Sequence, residues 1–496
     1  MTTQLVPPGV LPAYSVGPRR LTAGLDRHHR LDLARHLDVH GPVSQLSAEQ
    51  LVELAERIGL TGRGGAGFPF ARKLQAVQKS VHASGSSPAV VVNATEGEPA
   101  SFKDKMLLRR APHLILDGAF LAASAIGAQS ISIGVEEGEP GADSLVHALG
   151  ERPSPTVTRV VTVPKRFISG EGGALVRGIN GEVPIPPGRK TRASESGVKG
   201  LPTLLSNAET YAQLALAART GPRGYAHVGL PHEPGTVLLT IGGATRIHCI
   251  VETPTGVPLD EILYICGATI GPGVLVGGYH GAWLSPAALS QAAVSREGLS
   301  AVGGALGAGV VLPLGEGTCP LGEAARVLQY LAGESAGQCG PCRRGLPEVA
   351  RRMSTLVDGS GGFAAVDAIR AAAGGVRGRG ACAHPDGTAR FALSALDAFA
   401  EDVSAHVFGG GCGLPVRGVL PIADDADAGP TLTVDWTRCD AHGLCAHILP
   451  ELISLDANGY PAIADRTVPA WLSGQARKAI TMCPALALRF SEAQPR

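Results

Sequence analysis

Two groups of cysteines constrain the fold of this chain more than any other feature, because folding has to bring each group together. Seven of the ten cysteines lie in the last third of the 496 residues, and six of these seven form two groups. They are Cys339, Cys342 and Cys382, followed by Cys439, Cys445 and Cys483. In each group two thiols lie close in sequence and the third lies far along the chain. In a reducing compartment such clustering indicates metal ligation rather than disulfides, so we expect two separate metal centres.

The other four cysteines carry no such signal. Cys249 and Cys266 lie in apolar runs, where a free cysteine behaves as a small buried hydrophobe. Cys319 and Cys412 have no thiol neighbour at ligand spacing, so we expect both to be structural.

Composition and charge are those of a globular protein. The length predicts two to four domains, and 44% hydrophobic with 17% charged residues excludes a disordered chain. No apolar run approaches the ~20 residues of a membrane helix, and the N-terminus lacks a signal-peptide pattern. We therefore expect a cytoplasmic protein without membrane insertion. With 43 basic and 43 acidic residues the chain has no net field to attract nucleic acid, and we expect no such partner.

Helix and strand patterns alternate through the first half of the chain. A capping box at Ser47 to Gln50 begins one helix, and another helix is predicted at 112–128. Buried strands are predicted at 89–92, 131–135 and 159–163, so we expect an α/β fold with a largely parallel sheet.

The second half changes in character. Short strands are predicted at 237–241, 249–252 and 262–266, with a short helix at 259–263 as the alternative in the last case. Helices follow at 324–331, 346–357, 364–373 and 391–407.

Four segments of the first half carry ligand-binding signals. The loop Gly62-Arg63-Gly64-Gly65-Ala66-Gly67 precedes a predicted helix that carries Lys73. Glycines let backbone N–H groups approach a phosphate or a flavin closely, although in a chain with 67 glycines such a loop is also an ordinary turn. Polar residues at 93–104 follow a buried strand, at the end where α/β folds bind ligands. Further polar segments lie at 167–171 and 205–210.

Together and in this order, the four segments resemble the NADH-binding flavoprotein subunit of respiratory complex I. The same family includes flavin subunits of bidirectional hydrogenases and NAD-linked formate dehydrogenases, and the resemblance covers about residues 40–410. It implies FMN as cofactor and NADH or NADPH as substrate. Phe68 would stack on the nicotinamide and Glu98 would hydrogen-bond NADH. The residues implied to hold the flavin are Gly62, Arg63, Gly64, Gly65, Gly67, Lys73, Asn93, Gly170, Glu171 and Asn207.

The chain departs from the family pattern on the nicotinamide side. Thr95 replaces an aspartate, Gly172 replaces a second glutamate, and Leu74 and Ala76 occupy the stretch where the family usually has a second aromatic residue. Arg189 to Arg192 replaces a Lys-Pro-Pro-Phe segment. Arg189 and Arg192 would then bind the 2′-phosphate of NADPH, because losing an acid and gaining cations accommodates that group. The alternatives are a solvated loop and a nicotinamide site that has lapsed.

The first cysteine group lacks one ligand of the family pattern. Cys339-Gly-Pro-Cys342 with the distant Cys382 is compatible with zinc, a redox dithiol or a cluster. The family has a further cysteine where this chain has Ala336. Three thiolates would hold a [3Fe–4S] cluster, or a [4Fe–4S] cluster with water or His384 as the outside ligand. Loss of the cluster is the third alternative, and an ordinary surface role is the alternative for His384.

The last domain has the spacing of a single-cluster ferredoxin. Cys439 and Cys445 form the tight loop, and the remote Cys483-Pro484 closes it. The segment resembles short actinobacterial ferredoxins that feed haem-thiolate monooxygenases. His442 stands at the position of their fourth ligand and is either a ligand or merely polar. We expect a [3Fe–4S] cluster, with a [4Fe–4S] cluster as the alternative.

These resemblances imply an α/β fold class with four parts: a Rossmann-like FMN-binding domain, a ubiquitin-like β-grasp module, a helical iron–sulfur domain and an α+β ferredoxin-like C-terminal domain. The expected boundaries are an N-terminal extension at 1–46, the FMN and NAD(P)H domain at 47–232, the β-grasp module at 233–310, the iron–sulfur domain at 311–408, a linker at 409–430 and the ferredoxin domain at 431–496.

The implied function is electron transfer. Electrons would pass from NAD(P)H through FMN and a first cluster to the fused ferredoxin and an external acceptor protein, for which a haem-thiolate monooxygenase is a candidate. No catalytic acid, base or nucleophile is needed. The alternatives are an electron relay that a partner protein supplies with electrons and a component of a larger hydrogenase-like complex.

Overall fold

The structure is a computed structural model, and it describes residues 11–154, 156–188, 191–422, 431–450, 452–463, 468 and 472–491. The chain forms two compact units. One comprises residues 1–335 and 339–422, and the other comprises 336–338 and 423–496. Within the described ranges no helix is both long and apolar enough to cross a bilayer.

Helices and strands alternate as follows. The helices of the first unit are α1 (Leu33–His40), α2 (Ala48–Arg57), α3 (Phe70–Ser84), α4 (Lys103–Arg110), α5 (Pro112–Ile126), α6 (Gly141–Gly150), α7 (Gly172–Ile179), α8 (Ala208–Ala226), α9 (Leu259–Ile265), α10 (Pro286–Leu289), α11 (Arg296–Ala301), α12 (Pro320–Gly333), α13 (Leu346–Val357), α14 (Gly362–Val376), α15 (His384–Ala398) and α16 (Ala400–Gly409). Its strands are β1 (Ala13–Ser15), β2 (Ala89–Asn93), β3 (Ser130–Glu136), β4 (Val157–Val163), β5 (Thr203–Asn207), β6 (Gly229–Leu230), β7 (Glu233–Pro234), β8 (Thr236–Ile241), β9 (Cys249–Pro254), β10 (Gly273–Val276), β11 (Ala282–Leu284) and β12 (Val310–Leu314).

A four-stranded parallel sheet lies at the centre of the first α/β region, in the order β4-β3-β2-β5. Strands β2, β3 and β5 are largely buried, as the continuous Val90 to Val92 run predicts for β2, whereas most residues of the edge strand β4 are at least partly exposed. The register pairs Asn93 at the end of β2 with Asn207 at the end of β5. Polar side chains from two remote segments therefore meet at one edge of the sheet.

Helices α5 and α8 pack closely against each other beside this sheet. The approach requires glycine at position 118, because a Cβ there would overlap the Tyr211 carbonyl of α8. The Tyr211 hydroxyl donates to the Val91 and Leu204 carbonyls, which fixes α8 against β2 and β5. The predicted helix at 112–128 and the predicted capping box at Ser47 are both confirmed.

A mixed six-stranded sheet follows, in the order β1-β9-β8-β12-β10-β11. The strand predicted at 262–266 is wrong, because this segment belongs to α9. Leu259, Ile262 and Leu263 are buried at helical spacing, which favours the helical alternative. The N-terminal segment is also more regular than expected: β1 pairs in parallel with β9, and α1 begins at the Asp32 cap.

The helices α12 to α16 form the region that carries the first cysteine group. The single helix predicted at 391–407 is wrong in its continuity, since α15 and α16 meet at Phe399. Phe399 leaves the helical conformation with its ring against Trp283, 4.9 Å between centroids. Burying that ring accounts for a break that an amphipathic pattern does not reveal.

The described residues of the second unit form two antiparallel strand pairs and two helices. The elements are β13 (Thr431–Val434), α17 (Leu444–Ile448), β14 (Ile453–Leu455), β15 (Pro461–Ile463), α18 (Ser473–Met482) and β16 (Leu488–Ser491). β13 pairs with β16 and β14 with β15. A core of its own holds this unit together and includes Leu432, Leu449, Ile453, Leu472, Ala476 and Leu488.

Candidate functional site

The glycine loop at 62–67 lies just before α3 and curls back on itself. The Gly62 N–H donates to the Phe68 carbonyl at 2.9 Å. Gly67 has φ +62, a conformation that glycine adopts without strain. Arg296 of α11 lies against the loop and donates from Nη2 to the Gly62 carbonyl at 2.7 Å. No sequence pattern points to Arg296, because no pattern connects two segments so far apart in the chain.

The carboxyl end of β5 places Asn207 against this loop, and the carboxyl end of β2 places Asn93 against the Gly170 segment. Asn93 Nδ2 donates to the Gly170 carbonyl at 2.9 Å. Asn207 Oδ1 accepts from the Arg63 N–H at 3.2 Å, and its Nδ2 donates to Asp104 Oδ2 at 3.1 Å. The structure therefore brings the glycine loop, Asn93, Gly170 and Asn207 together, as predicted from four separate segments.

Glu171 and Thr95 organise the next part of the site. Glu171 caps α7, because its Oε2 accepts from the Ala174 N–H at 2.9 Å. The Thr95 hydroxyl donates to Asn93 Oδ1 at 2.6 Å. Thr95 thus holds the asparagine where the family pattern has an aspartate.

Lys73 on α3 is a largely buried cation next to the strand ends. Its Nζ donates to the Leu205 carbonyl at 2.9 Å, and burial lowers the pKa of the ammonium group. No described carboxylate lies within ion-pair distance of it. Nearby, Nε and Nη1 of Arg63 are buried without hydrogen-bond partners. A largely buried ammonium and a guanidinium with two unpartnered nitrogens fit a phosphate-bearing cofactor such as FMN.

A buried charge network lies beneath Asn207. Lys103 Nζ contacts Glu209 Oε2 at 2.8 Å and Asp104 Oδ1 at 3.2 Å. Burial alone would lower the pKa of Lys103, but Asp104, Glu209 and Glu96 together raise it. Because Asp104 also accepts from Asn207, this network fixes the asparagine that reaches the glycine loop.

The residues predicted for nicotinamide binding differ in their surroundings. Burial raises the pKa of Glu98 to about 8. Its Oε2 accepts from the Tyr279 N–H at 2.7 Å, whereas Oε1 has no partner. Phe68 is exposed beside the glycine loop. Arg192 is exposed, and Arg189 lies outside the described residues.

The flavin-side residues are tied to the cysteine-bearing helices. The Phe167 N–H, three residues before Gly170, donates to Glu334 Oε2 at 2.7 Å. Glu334 is the C-cap of α12, and Arg166 lies 3.8 Å from the same carboxylate oxygen. The Phe167 ring packs edge-on against His280 at 4.7 Å between centroids. The site at the strand ends is thus joined to the region of the first cysteine group.

The first cysteine group is assembled by a turn and a loop. Cys339 Sγ lies 3.4 Å from Cys342 Sγ, and Cys382 lies in the loop before α15. Burial, followed by the charges of nearby groups including Cys339, raises the pKa of the Cys382 thiol to about 11. The ordinary surface role considered for His384 is wrong, because the side chain is buried. Both ring nitrogens already have hydrogen-bond partners, which does not favour His384 as the outside ligand. Its Nε2 bonds the Leu331 carbonyl at 2.8 Å and its Nδ1 bonds His280 Nε2 at 3.0 Å.

The second cysteine group lies around the loop that leads into α17. Cys483 ends α18, and its sulfur accepts from the Ala487 N–H at 3.4 Å. Burial, and then the charges of Cys483 and Cys439, raise the pKa of Cys445. His442 is exposed, and its neighbours Ala441 and Gly443 both have positive φ. Closely spaced cysteines on such a loop, with a remote cysteine, are typical of a single iron–sulfur cluster.

The structure overturns one expectation about the remaining cysteines. Cys319 and Cys412 were expected to have no ligand partner, yet they converge with His406 in the first unit. Sequence spacing gave no signal, because the three residues come from two helix ends and a loop.

Comparisons with protein families match three segments of the chain. Residues 55–216 match the Nuo51 FMN-binding domain, and residues 322–406 match the NADH-ubiquinone oxidoreductase-F iron-sulfur binding region. Residues 432–490 match a 4Fe-4S single cluster domain.

Comparisons with whole proteins agree with these matches. An F subunit of the NADH-quinone oxidoreductase of Rhizobium meliloti (strain 1021) is 27% identical over 384 residues, covering 74% of this chain and 90% of the relative. The F subunit of the same enzyme in Mycobacterium bovis (strain ATCC BAA-935 / AF2122/97) is 28% identical over 447 residues, covering 86% and 100%. The fold also matches an NAD⁺-reducing [NiFe]-hydrogenase in the air-oxidized state, with a TM-score of 0.70 at 23% identity over 80% of this chain and 68% of that one.

The resemblance predicted from the sequence is therefore confirmed. The chain has segments similar to the Nuo51 FMN-binding domain and to the NADH-ubiquinone oxidoreductase-F iron-sulfur binding region, followed by a segment similar to a 4Fe-4S single cluster domain. FMN and iron–sulfur clusters are its cofactors.

Proposed function

We propose that this chain oxidises NADH at an FMN site and passes the electrons through its iron–sulfur centres to an external acceptor protein. The observation that supports the proposal is a set of hydrogen bonds in the first unit that connects the sheet edge to the cysteine-bearing helices. The glycine loop, Asn93 and Gly170 meet at the sheet edge, and the segment that ends in Gly170 is bonded to Glu334 at the end of α12. The flavin-binding edge and the cysteine-bearing helices thus form one structure.

The chain's own residues would bind and orient the flavin. Lys73 would bind the phosphate, since it is a desolvated cation without a described carboxylate partner. The N–H groups of the glycine loop would approach the ring and its chain, and Asn93 and Asn207 would hold that loop and the Gly170 segment in place. When bound, FMN accepts two electrons as hydride and releases them one at a time.

Phe68 and Glu98 would form the nicotinamide side of the site. Phe68 is an exposed aromatic beside the loop, available for stacking. Glu98, with its pKa raised to about 8, is neutral at pH 7 and can donate a hydrogen bond to a nucleotide. Arg189 and Arg192 would bind the 2′-phosphate if NADPH replaced NADH as donor.

The clusters follow the two cysteine groups. Cys339, Cys342 and Cys382 would hold the first, with three thiolates in place of four because Ala336 supplies none. Cys439, Cys445 and Cys483 would hold a [3Fe–4S] cluster in the second unit, with His442 exposed beside it. We retain the Rossmann-like, β-grasp, helical and ferredoxin-like parts, with their boundaries, as the proposed domain organisation. A haem-thiolate monooxygenase is the acceptor class to test first.

Electron paramagnetic resonance of the full chain tests this order of transfer. After anaerobic mixing with NADH, both cluster signals should respond, and Cys342→Ala should stop reduction of the C-terminal cluster while the flavin is still reduced. Cys266→Ala, a buried cysteine outside both groups, is the matched control and should transfer electrons normally. Normal reduction of the C-terminal cluster in Cys342→Ala would contradict the proposed route. Reduction of neither flavin nor clusters in the unaltered chain would favour the relay alternative.

A further inference from the structure

Two cysteines and a histidine form a third group of potential metal ligands in the first unit, apart from both cysteine groups described above. Cys319 caps the start of α12, His406 is in the last turn of α16, and Cys412 follows that helix. Each offers one ligand atom, and the three atoms lie within 4.8 Å of one another. Cys319 Sγ lies 3.4 Å from His406 Nε2. A tetrahedral zinc with Zn–S of about 2.3 Å and Zn–N of about 2.0 Å places these atoms about 3.5 Å apart.

The histidine is oriented as metal-binding histidines are. His406 Nδ1 lies 2.8 Å from the Val357 carbonyl, which can only accept, so Nδ1 carries the proton. Nε2 therefore presents its lone pair to the Cys319 sulfur. A carbonyl that fixes the tautomer in this way is the usual outer support of a zinc-bound histidine.

The cysteine side has matching features. The Gly322 N–H donates to Cys319 Sγ at 3.2 Å, a contact that stabilises a thiolate. Cys319 and His406 are buried, and Cys412 is half-buried, so one side remains accessible to solvent.

We propose that Cys319, His406 and Cys412 bind one zinc ion, with a solvent molecule as the fourth ligand. Two thiolates and an imidazole around a single-atom space are a donor set that zinc prefers. Both cysteine groups assigned to clusters remain intact in this arrangement, so the zinc is an additional site.

The role of the site is to fasten the last stretch of the first unit to α12. The Cys319 N–H donates to the Pro415 carbonyl at 2.9 Å, and the Gly418 N–H donates to Glu323 Oε1 at 2.7 Å. Val416 packs so closely against Gly322 that a Cβ at position 322 would overlap the Val416 side chain. These contacts hold residues 415–418 against α12. A metal bond to Cys412 would hold the beginning of the same stretch.

Metal analysis of the full-length, cluster-loaded protein tests the proposal. We expect one zinc per chain beside the iron, with an X-ray absorption spectrum of two sulfur and two nitrogen or oxygen ligands. Cys412→Ser and His406→Gln should each lose the zinc and keep the iron. Cys266→Ser and His248→Gln, matched changes outside the cluster, should keep both metals.

Limited trypsin digestion adds a readout that is independent of enzyme activity. Loss of zinc should accelerate cleavage at the exposed Arg417, and chelator treatment of the unaltered chain should do the same until zinc is restored. Zinc absent from the iron-loaded chain, or retained by both ligand variants, would overturn the proposal. So would a Cys319–Cys412 disulfide found by mass spectrometry in place of the metal.

Discussion

Replacing Lys73 with methionine isolates the charge that is expected to bind the FMN phosphate. The Lys73 ammonium group has only the Leu205 carbonyl at 2.9 Å as its described partner, and burial already lowers its pKa. A hydrogen bond between charged groups contributes about 1.5–3 kcal/mol. Losing it should therefore raise the dissociation constant for FMN about 10- to 100-fold. Because methionine needs no desolvation of a charge, the free energy of unfolding of the flavin-free protein should not fall.

Flavin fluorescence measures this effect when the flavin-free protein is titrated with FMN and with riboflavin. Riboflavin lacks the phosphate, so Lys73→Met should weaken FMN binding and leave riboflavin binding nearly unchanged. Lys79→Met is the control, since Lys79 is exposed on the same helix. Equal weakening of both flavins, or unchanged FMN affinity, would refute the assignment of Lys73 to the phosphate.

Three further predictions concern neighbouring groups. With a pKa of about 8, the Glu98 carboxyl is neutral below that pH and anionic above it. Because the anion repels the nucleotide diphosphate, KM for NADH should rise about tenfold per pH unit above 8. Steady-state kinetics of Glu98→Gln should show a flatter dependence of KM on pH. Glu209→Gln leaves Asp104 as the remaining carboxylate in direct contact with the buried Lys103. Urea unfolding should therefore report a loss of about 3 kcal/mol in the free energy of unfolding; an unchanged midpoint would refute the network's role. Gly67→Ala would place a methyl group against the Arg296 guanidinium at a positive φ, so FMN affinity should fall while circular dichroism stays unchanged; full flavin retention would contradict this.

The central sheet and its site were predictable because local signals pointed to them directly. The Val90 to Val92 run predicts a buried strand, and polar residues after it mark the carboxyl edge where parallel sheets bind ligands. Asn93 follows the predicted strand, whereas β5, which ends at Asn207, was not predicted; the structure pairs the two asparagines in register. The resemblance to a known family then linked segments that periodicity alone could not connect.

The missed features depend on contacts between segments remote in sequence. Arg296 reaches the glycine loop from α11, and Cys319 meets His406 and Cys412 across helix ends. The break at Phe399 arises because its ring is buried against Trp283. The segment at 262–266 fails for a different reason, since a short apolar run fits a strand and a helix equally well.

Anaerobic titration with NADH and with NADPH, following flavin absorbance, tests the central claim most directly. The proposed function predicts rapid bleaching of the flavin by NADH. Bleaching by NADPH alone would show that NADPH is the electron donor and would favour a site that binds its 2′-phosphate. If neither nucleotide bleaches the flavin while dithionite still reduces it, the chain does not oxidise nicotinamide nucleotides and the proposed function is contradicted.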